Sequence, residues 1–289
     1  MTLYCLGSIN LDHFYEVPHL PAPGETILAE SHSTGLGGKG ANQSVAAAQA
    51  GARVVHIGAV GPDGAWAVSR LKALGVDTTH ISEVTAPTAH AIINVDPKGE
   101  NAIVVFPGAN MQQSLTQLKT ALLTAKRGDM LLLQNETNLA FEAATLARSL
   151  GLKVLYAAAP FNAATTAALL PLTDILILNA VEMKQLSEAT NAADLSPETI
   201  VVTEGSKGGY ALTSKGKQRF SAFPVQALDT TGAGDTFTGY LAAALQEGQS
   251  LQDALRCAAA ASALKVTKKG TADAIPSRSE VDSFLKAQA

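Results

Sequence analysis

One stretch of the chain joins two glycines, an acid and a helix start within nine residues: Asp229-Thr230-Thr231-Gly232-Ala233-Gly234-Asp235-Thr236-Phe237. After Asp235 the apolar residues Phe237, Tyr240, Leu241, Ala244 and Leu245 recur with helical spacing, so a helix is expected to begin around Ala233 or Gly234. The first turn of a helix leaves backbone N–H groups without partners, and the helix dipole draws anions to that end. Glycine lets the backbone approach a bulky phosphate with no Cβ in the way. Asp235 then stands beside a site built for negative charge. That placement is poor for simple binding but useful for taking a proton from an attacking hydroxyl. The segment reads as the core of a phosphoryl-transfer site. The competing reading is a tight turn followed by an acid that complements the helix dipole.

A second segment shifts the balance. Gly35-Leu36-Gly37-Gly38-Lys39-Gly40-Ala41-Asn42-Gln43 leads into an Ala-rich run over 44–50. Read literally, Gly35, Gly37 and Gly40 form the dinucleotide fingerprint G-x-G-x-x-G, with Asp63 about 20 residues on. That fingerprint belongs in the first strand-to-helix turn, yet the first strong strand is 3–8 and the run 27–34 is polar and broken. A phosphate-binding P-loop fails too, because no Gly-Lys is followed by Ser or Thr. What remains is a glycine-rich turn offering backbone N–H groups, Lys39 and Asn42 to a hydroxyl-rich ligand.

These residues need a scaffold, and short β-rich runs alternate with helical patterns along the chain. Strands are expected at 3–6, 54–60, 130–133, 153–156, 175–178 and 199–203, and helices at 41–50, 65–74, 115–125, 139–150 and 180–188. The alternation predicts an α/β fold with a mostly parallel sheet covered by helices on both faces. Sites in such folds lie at the carboxyl ends of strands. Asn10, Glu136, Asn179 and Glu204 each follow a strand run and should converge on one edge. Two segments break the pattern and read as inserted hairpins: 14–17 with 26–33, and 90–95 with 102–106 across Asp96-Pro97-Lys98-Gly99.

A hydrophobic content of 47% in 289 residues supports one large core, with room for a small appendage. A net charge of −4 gives no electrostatic case for nucleic acid or an acidic membrane surface. Cys5 and Cys257 lie in apolar runs and suggest buried thiols in a reducing cytoplasm, not a disulfide or metal framework. Met1-Thr2-Leu3 runs into a strand without a basic leader, and no apolar stretch approaches bilayer length, so neither targeting nor membrane insertion is expected.

The two glycine-rich segments together resemble the signatures of the ribokinase or PfkB family of sugar kinases, the first over Gly37 to Gln43 and the second over Asp229 to Phe237. Gly7-Ser8-Ile9-Asn10-Leu11-Asp12, Pro23-Gly24-Glu25-Thr26, Gln134-Asn135-Glu136 and Thr267-Lys268-Lys269-Gly270 align in order, so the resemblance spans nearly the whole chain. It implies a single domain over 1–289: a three-layer α/β sandwich with a mostly parallel central sheet, plus a small β-sheet lid from insertions around 12–34 and 88–107. It also implies ATP-dependent phosphorylation of a sugar's primary hydroxyl, first of all D-ribose to D-ribose 5-phosphate. The alternatives are another pentose, a ketohexose, a nucleoside, or a silent sugar-binding relative.

By the same resemblance Asp235 is the general base, and Gly232, Ala233 and Gly234 form the anion hole. Asn10, Asp12, Gly38, Lys39, Asn42 and Glu136 contact the sugar, although Glu136 also lies in a segment where Thr137 or Asn138 could cap a helix. Asn179, Thr203, Gly205, Gly208 and Gly234 contact the nucleotide. Glu182, completing Asn-x-x-Glu, positions Mg²⁺ through water; its plainer reading is a first-turn helix acid. Potassium is implied beside the anion hole, held by backbone carbonyls and one aspartate side chain at Asp229, Thr231, Lys265, Lys268 and Gly270. Ala274 stands where the pattern has a side-chain oxygen. A homodimer paired through the lid is expected as well.

Overall fold

The run Leu3-Tyr4-Cys5-Leu6 is apolar at every position, which suits a strand covered on both faces. In the computed structural model, which describes residues 1–190 and 196–288, it forms β1 (Thr2–Leu6). The remaining strands are β2 (Asn10–Glu16), β3 (Ser31–Gly37), β4 (Arg53–Val60), β5 (Asp77–Glu83), β6 (Ala89–Val95), β7 (Asn101–Phe106), β8 (Met130–Leu133), β9 (Lys153–Ala157), β10 (Ile175–Asn179), β11 (Thr199–Thr203), β12 (Gly209–Thr213) and β13 (Gly216–Phe220). The α-helices among the described residues are α1 (Lys39–Gln49), α2 (Ala65–Ala73), α3 (Leu115–Leu122), α4 (Ala140–Ser149), α5 (Ala163–Leu169), α6 (Ala180–Ala189), α7 (Ala233–Gln246), α8 (Leu251–Lys265) and α9 (Arg278–Ala287).

Nine strands form the main sheet in the order β13-β12-β11-β10-β9-β8-β1-β4-β5, parallel except for the antiparallel pairs that add β12 and β13. Side chains alternate across it. Leu3 and Cys5 join a core with α1, α2, α7 and α8, while Tyr4 and Leu6 join a second core with α3, α4, α5 and α6. This is the three-layer sandwich expected. No helix among the described residues is long and apolar enough to cross a membrane.

Two close approaches seat α1 at the site. A Cβ on Gly7 would stand 2.5 Å from the Cα of Gly40, so the end of β1 and the start of α1 touch backbone to backbone. A Cβ on Gly239 would stand 2.5 Å from Ala46 Cβ, so α1 and α7 pack at the distance that small residues allow.

The strands read as 54–60, 130–133, 153–156, 175–178 and 199–203 fall where β4 and β8–β11 lie, within a residue at each end. Strands β5, β12 and β13 were not among those expected; β13 is polar and sits at the sheet edge, where periodicity is weak. The second hairpin is β6 with β7, as read. The first is corrected: β2 pairs with β3 in the register Asn10↔Gly37, Phe14↔Ser33, Glu16↔Ser31, not 14–17 with 26–33. Pro18, Pro21 and Pro23 keep the intervening segment out of a ladder. The glycine end of β3 can lie against Asp12 because Gly37 has no Cβ to strike that carboxylate. Strands β2 and β6 pair in parallel, joining both hairpins into one four-stranded sheet, β3-β2-β6-β7.

Candidate active site

The two glycine-rich helix starts differ in what remains free. At α1 the protein itself consumes the donors. Lys39 N–H donates to Glu136 Oε2 (3.0 Å), Gly40 N–H to Ser8 Oγ (3.1 Å) and Ala41 N–H to the Ser8 carbonyl (2.8 Å). Gly38, at φ 90°, provides the left-handed turn that brings them there. At α7, Gly232 (φ 74°) makes the corresponding turn with no side-chain cap. Ala233 N–H donates to the Thr230 carbonyl (3.2 Å), but Gly232, Gly234 and Asp235 have no hydrogen-bond partner for theirs among the described residues. A Cβ on Gly234 would meet nothing within 4 Å. The anion-attracting end is therefore that of α7.

Asp235, in the first turn of α7, is gripped from α1. Its Oδ2 accepts from Asn42 Nδ2 (3.0 Å) and its Oδ1 from Gln43 Nε2 (3.1 Å), while Gln43 Oε1 accepts from Gln134 Nε2 (2.8 Å). Gln43 and Gln134 were not given site roles from the sequence, although both lie inside the quoted motifs. Their signal was the motif itself, since an isolated Gln reads as surface.

Three buried acceptors of this cluster lack donors: Asp12 Oδ1, Asn42 Oδ1 and, at the far end of the amide chain, Gln134 Oε1. Such groups are costly unless a ligand completes them. Burial pushes the Asp12 carboxyl up to about 7, with the Glu136 and Asp235 carboxylates adding to the rise and Lys39 opposing it. Lys39 is the cation among these acids. Asp235 raises its pKa most, against burial, and Glu136, Glu182 and Asp12 add to it. Asn10 Oδ1 accepts from Asn110 Nδ2 (2.9 Å), and Asn110 Oδ1 accepts from Ile9 N–H (2.9 Å), so Asn110 is a further orienting residue. Glu136 spends one oxygen on Ser8 and Lys39. The helix-capping alternative for its neighbours is corrected: Leu139 stands at the N-cap position of α4 without a side-chain cap, and Asn138 instead exchanges hydrogen bonds with the Gln113 backbone.

A cavity of about 170 Å³ runs from Asp235, Gly232 and Lys39 past Asn179 and Glu182 to Thr203. Asn179 and Glu182 form a reciprocal cap on α6: Asn179 Oδ1 accepts from Glu182 N–H (2.9 Å) and Glu182 Oε2 from Asn179 N–H (2.7 Å). Burial raises the Glu182 pKa, with Asp235 adding to it, while the Asn179 bond and Lys39 pull it back. Gly205 (φ 59°) is open to solvent, whereas Gly208 (φ 85°) abuts the Phe220 carbonyl and shapes the turn. Glu204 does not join the site; it pairs with Arg219 at 3.1 Å. A larger hollow of about 700 Å³, between the start of β11 and the β12–β13 turn, is lined by exposed residues such as Glu198, Lys215 and Lys217 and includes none of these groups.

The positions expected to hold potassium do not fit a free cation. Lys265 is fully buried, and its ammonium donates to the Asp229 carbonyl (3.1 Å) and lies 3.9 Å from Asp229 Oδ2. Asp229 Oδ1 accepts from Thr231 N–H (2.9 Å) and Oδ2 from Gly270 N–H (2.8 Å). Burial pushes the Asp229 carboxyl up, but the Thr231 and Gly270 bonds and the Lys265 charge outweigh it and hold it low. The Lys268 side chain pairs with Glu280 (2.7 Å), so only its backbone carbonyl could face the Asp229 turn. A second cation sharing Asp229 would be repelled by the ammonium, by roughly 4 kcal/mol were the two about 4 Å apart in a partly screened setting.

The chain matches the family model described as pfkB family carbohydrate kinase over residues 2–278. It is 41% identical to the ribokinase of Haemophilus influenzae, over 99% of this chain and 98% of that protein. The Bacillus subtilis ribokinase is 36% identical, over 97% and 98%. The solved structure of Arabidopsis thaliana ribokinase complexed with ribose and ATP matches with a TM-score of 0.87 at 32% identity, covering 99% of this chain and 98% of that one. The chain thus belongs to the pfkB family of carbohydrate kinases and is a phosphotransferase with an alcohol acceptor.

Proposed function

We propose that this enzyme transfers the γ-phosphoryl group of ATP to the primary hydroxyl of a small sugar, converting D-ribose to D-ribose 5-phosphate. The observation that carries the reading is the pair of buried acceptors without donors, Asp12 Oδ1 and Asn42 Oδ1, beside Asp235. Neighbouring sugar hydroxyls would complete both, and a deoxy sugar would leave one unpaired. The ribose and ATP in the Arabidopsis relative point the same way.

In this reading Asp235 takes the hydroxyl proton as the sugar oxygen attacks the γ-phosphorus, and the bond to the ADP oxygen breaks. The N–H groups of Gly232, Gly234 and Asp235 stabilise the charge on the transferring group, with Ala233 holding the turn. Lys39 balances the surrounding carboxylates. Asn10, Gly38 and Glu136 position the sugar, and Asn179 and Thr203 line the path to the nucleotide, with Gly205 and Gly208 forming the turn that follows Thr203. Glu182, with one oxygen committed to the α6 cap, keeps the other for a water on Mg²⁺, whose charge would offset that of the phosphates. No potassium enters the reading, because Lys265 already engages Asp229.

The four-stranded sheet acts as a lid that excludes water, a competing acceptor. Its edge strand β7 exposes Ile103, Val104, Val105 and Phe106, which supports a homodimer paired through the lids. An ADP-release screen over pentoses, hexoses and nucleosides with Mg²⁺ tests the function. Ribose should give the highest kcat/KM; activity confined to another sugar would reassign the substrate, and none at all would favour a silent sugar-binding protein.

A further inference from the structure

Lysine ammonium groups usually reach water along their flexible stems, and full burial requires a partner. Lys265 is the last residue of α8, where the helix dipole favours a cation, and its side chain is 0% exposed. Its ammonium touches the backbone oxygen of Asp229 and faces the carboxylate of the same residue. Asp229 in turn holds Thr231 and Gly270 through its two carboxylate oxygens, and Thr231 leads directly into the Gly232 turn. From the other side, Ser262 of α8 donates to the Ala233 carbonyl (3.0 Å). A single positive charge therefore stands behind the turn whose N–H groups face the phosphates. Ala274 is also buried and carries no side-chain oxygen.

We propose that the Lys265 ammonium is a built-in substitute for a bound monovalent cation, positioning the Asp229–Gly232 turn so that the enzyme works without potassium. The proposal rests on the sugar-kinase reading for its rate measurements but not for its melting measurements. Lys265 is a positioning residue here, acting through Asp229.

The test compares potassium chloride with choline chloride at equal ionic strength. Wild-type kcat should be the same in both media, and so should its melting temperature. Lys265→Ala, which opens space for an ion, should lose roughly tenfold or more in kcat in choline and recover in potassium. Its melting temperature should rise with potassium, as binding to the folded state requires. Lys265→Met, which fills the space without charge, should stay slow in both. A merely structural lysine would give no rescue by potassium. Strong potassium activation of the wild type, or Lys265→Ala running at full rate in choline, would overturn the proposal. Should Lys265→Ala not fold, the wild-type comparison decides alone. If no sugar is phosphorylated, the functional reading falls while the melting comparison still tests the cation substitute.

Discussion

Asn42 and Asp235 are 193 positions apart in the chain, yet the Asn42 amide donates to the Asp235 carboxylate at 3.0 Å. The contact depends on α1 and α7 packing closely enough at Gly239 for one helix to hold the acid carried by the other. It fixes the carboxylate at the mouth of the free N–H groups of α7. Asp235→Asn keeps the size and the packing but removes the basic group. It should leave sugar affinity nearly unchanged while lowering kcat by about 10²–10⁴. Calorimetric titration with sugar and steady-state kinetics check both halves; an intact kcat would remove Asp235 from the role of base.

Two glycines at the site should respond oppositely to alanine. A Cβ at Gly40 would press into the backbone of Gly7 and Ser8, where neither neighbour can swing away. Gly40→Ala should cost about 1–3 kcal/mol of stability, read as a lower urea midpoint. Gly234 has open space around its missing Cβ. Gly234→Ala should fold with unchanged stability and still lose activity, because its methyl group would occupy the space kept for phosphate. Equal melting losses in the two variants would contradict this division.

Asp12 makes the fold less stable as pH rises from the acid range to neutrality. Its carboxyl titrates at about 7 in the fold against an ordinary value of 3.8. Between these values the folded state binds the extra proton, so this contribution is present in acid and lost as pH rises towards 7. The loss is at most about 4 kcal/mol. Asp12→Asn should therefore melt higher than wild type at pH 8 while binding sugar more weakly. A lower melting temperature at pH 8 would count against the burial argument.

His56 works in the opposite direction. It is fully buried between Ser44 Oγ (2.8 Å) and the Gly7 carbonyl (3.2 Å), and burial pulls its pKa down to about 4 from 6.5. The unfolded chain takes up the proton first, so stability is present above pH 6.5 and is lost as pH falls towards 4, by at most about 3 kcal/mol. In wild type the Asp12 contribution offsets it across much of that window. Urea unfolding of Asp12→Asn as a function of pH should expose a steeper acid limb than the wild type has. Parallel curves for the two proteins would argue against it.

Local pattern carried much of this molecule. Continuous apolar runs marked β1, β8 and β11, helical spacing after Asp235 placed the start of α7 around Ala233 or Gly234, and the two glycine signatures located the residues around the base. These features depend on neighbours a few positions away, which is the range over which periodicity and turn chemistry act. The sequence placed the anion at the start of α7, but that the start of α1 has its own donors consumed was not legible. Both look alike as sequence, but Ser8 and Glu136, 32 and 97 positions from their partners, consume the donors of α1 and leave those of α7 free. Likewise Lys265 was expected only as one of the positions around a potassium ion, and the packing of α8 against the Asp229 turn is what buries its own charge there. The sequence by itself determined most of the central elements and the chemistry on offer. The tertiary structure alone decided which polar groups were already satisfied, because hydrogen bonding and burial depend on distances that only the folded chain brings into range.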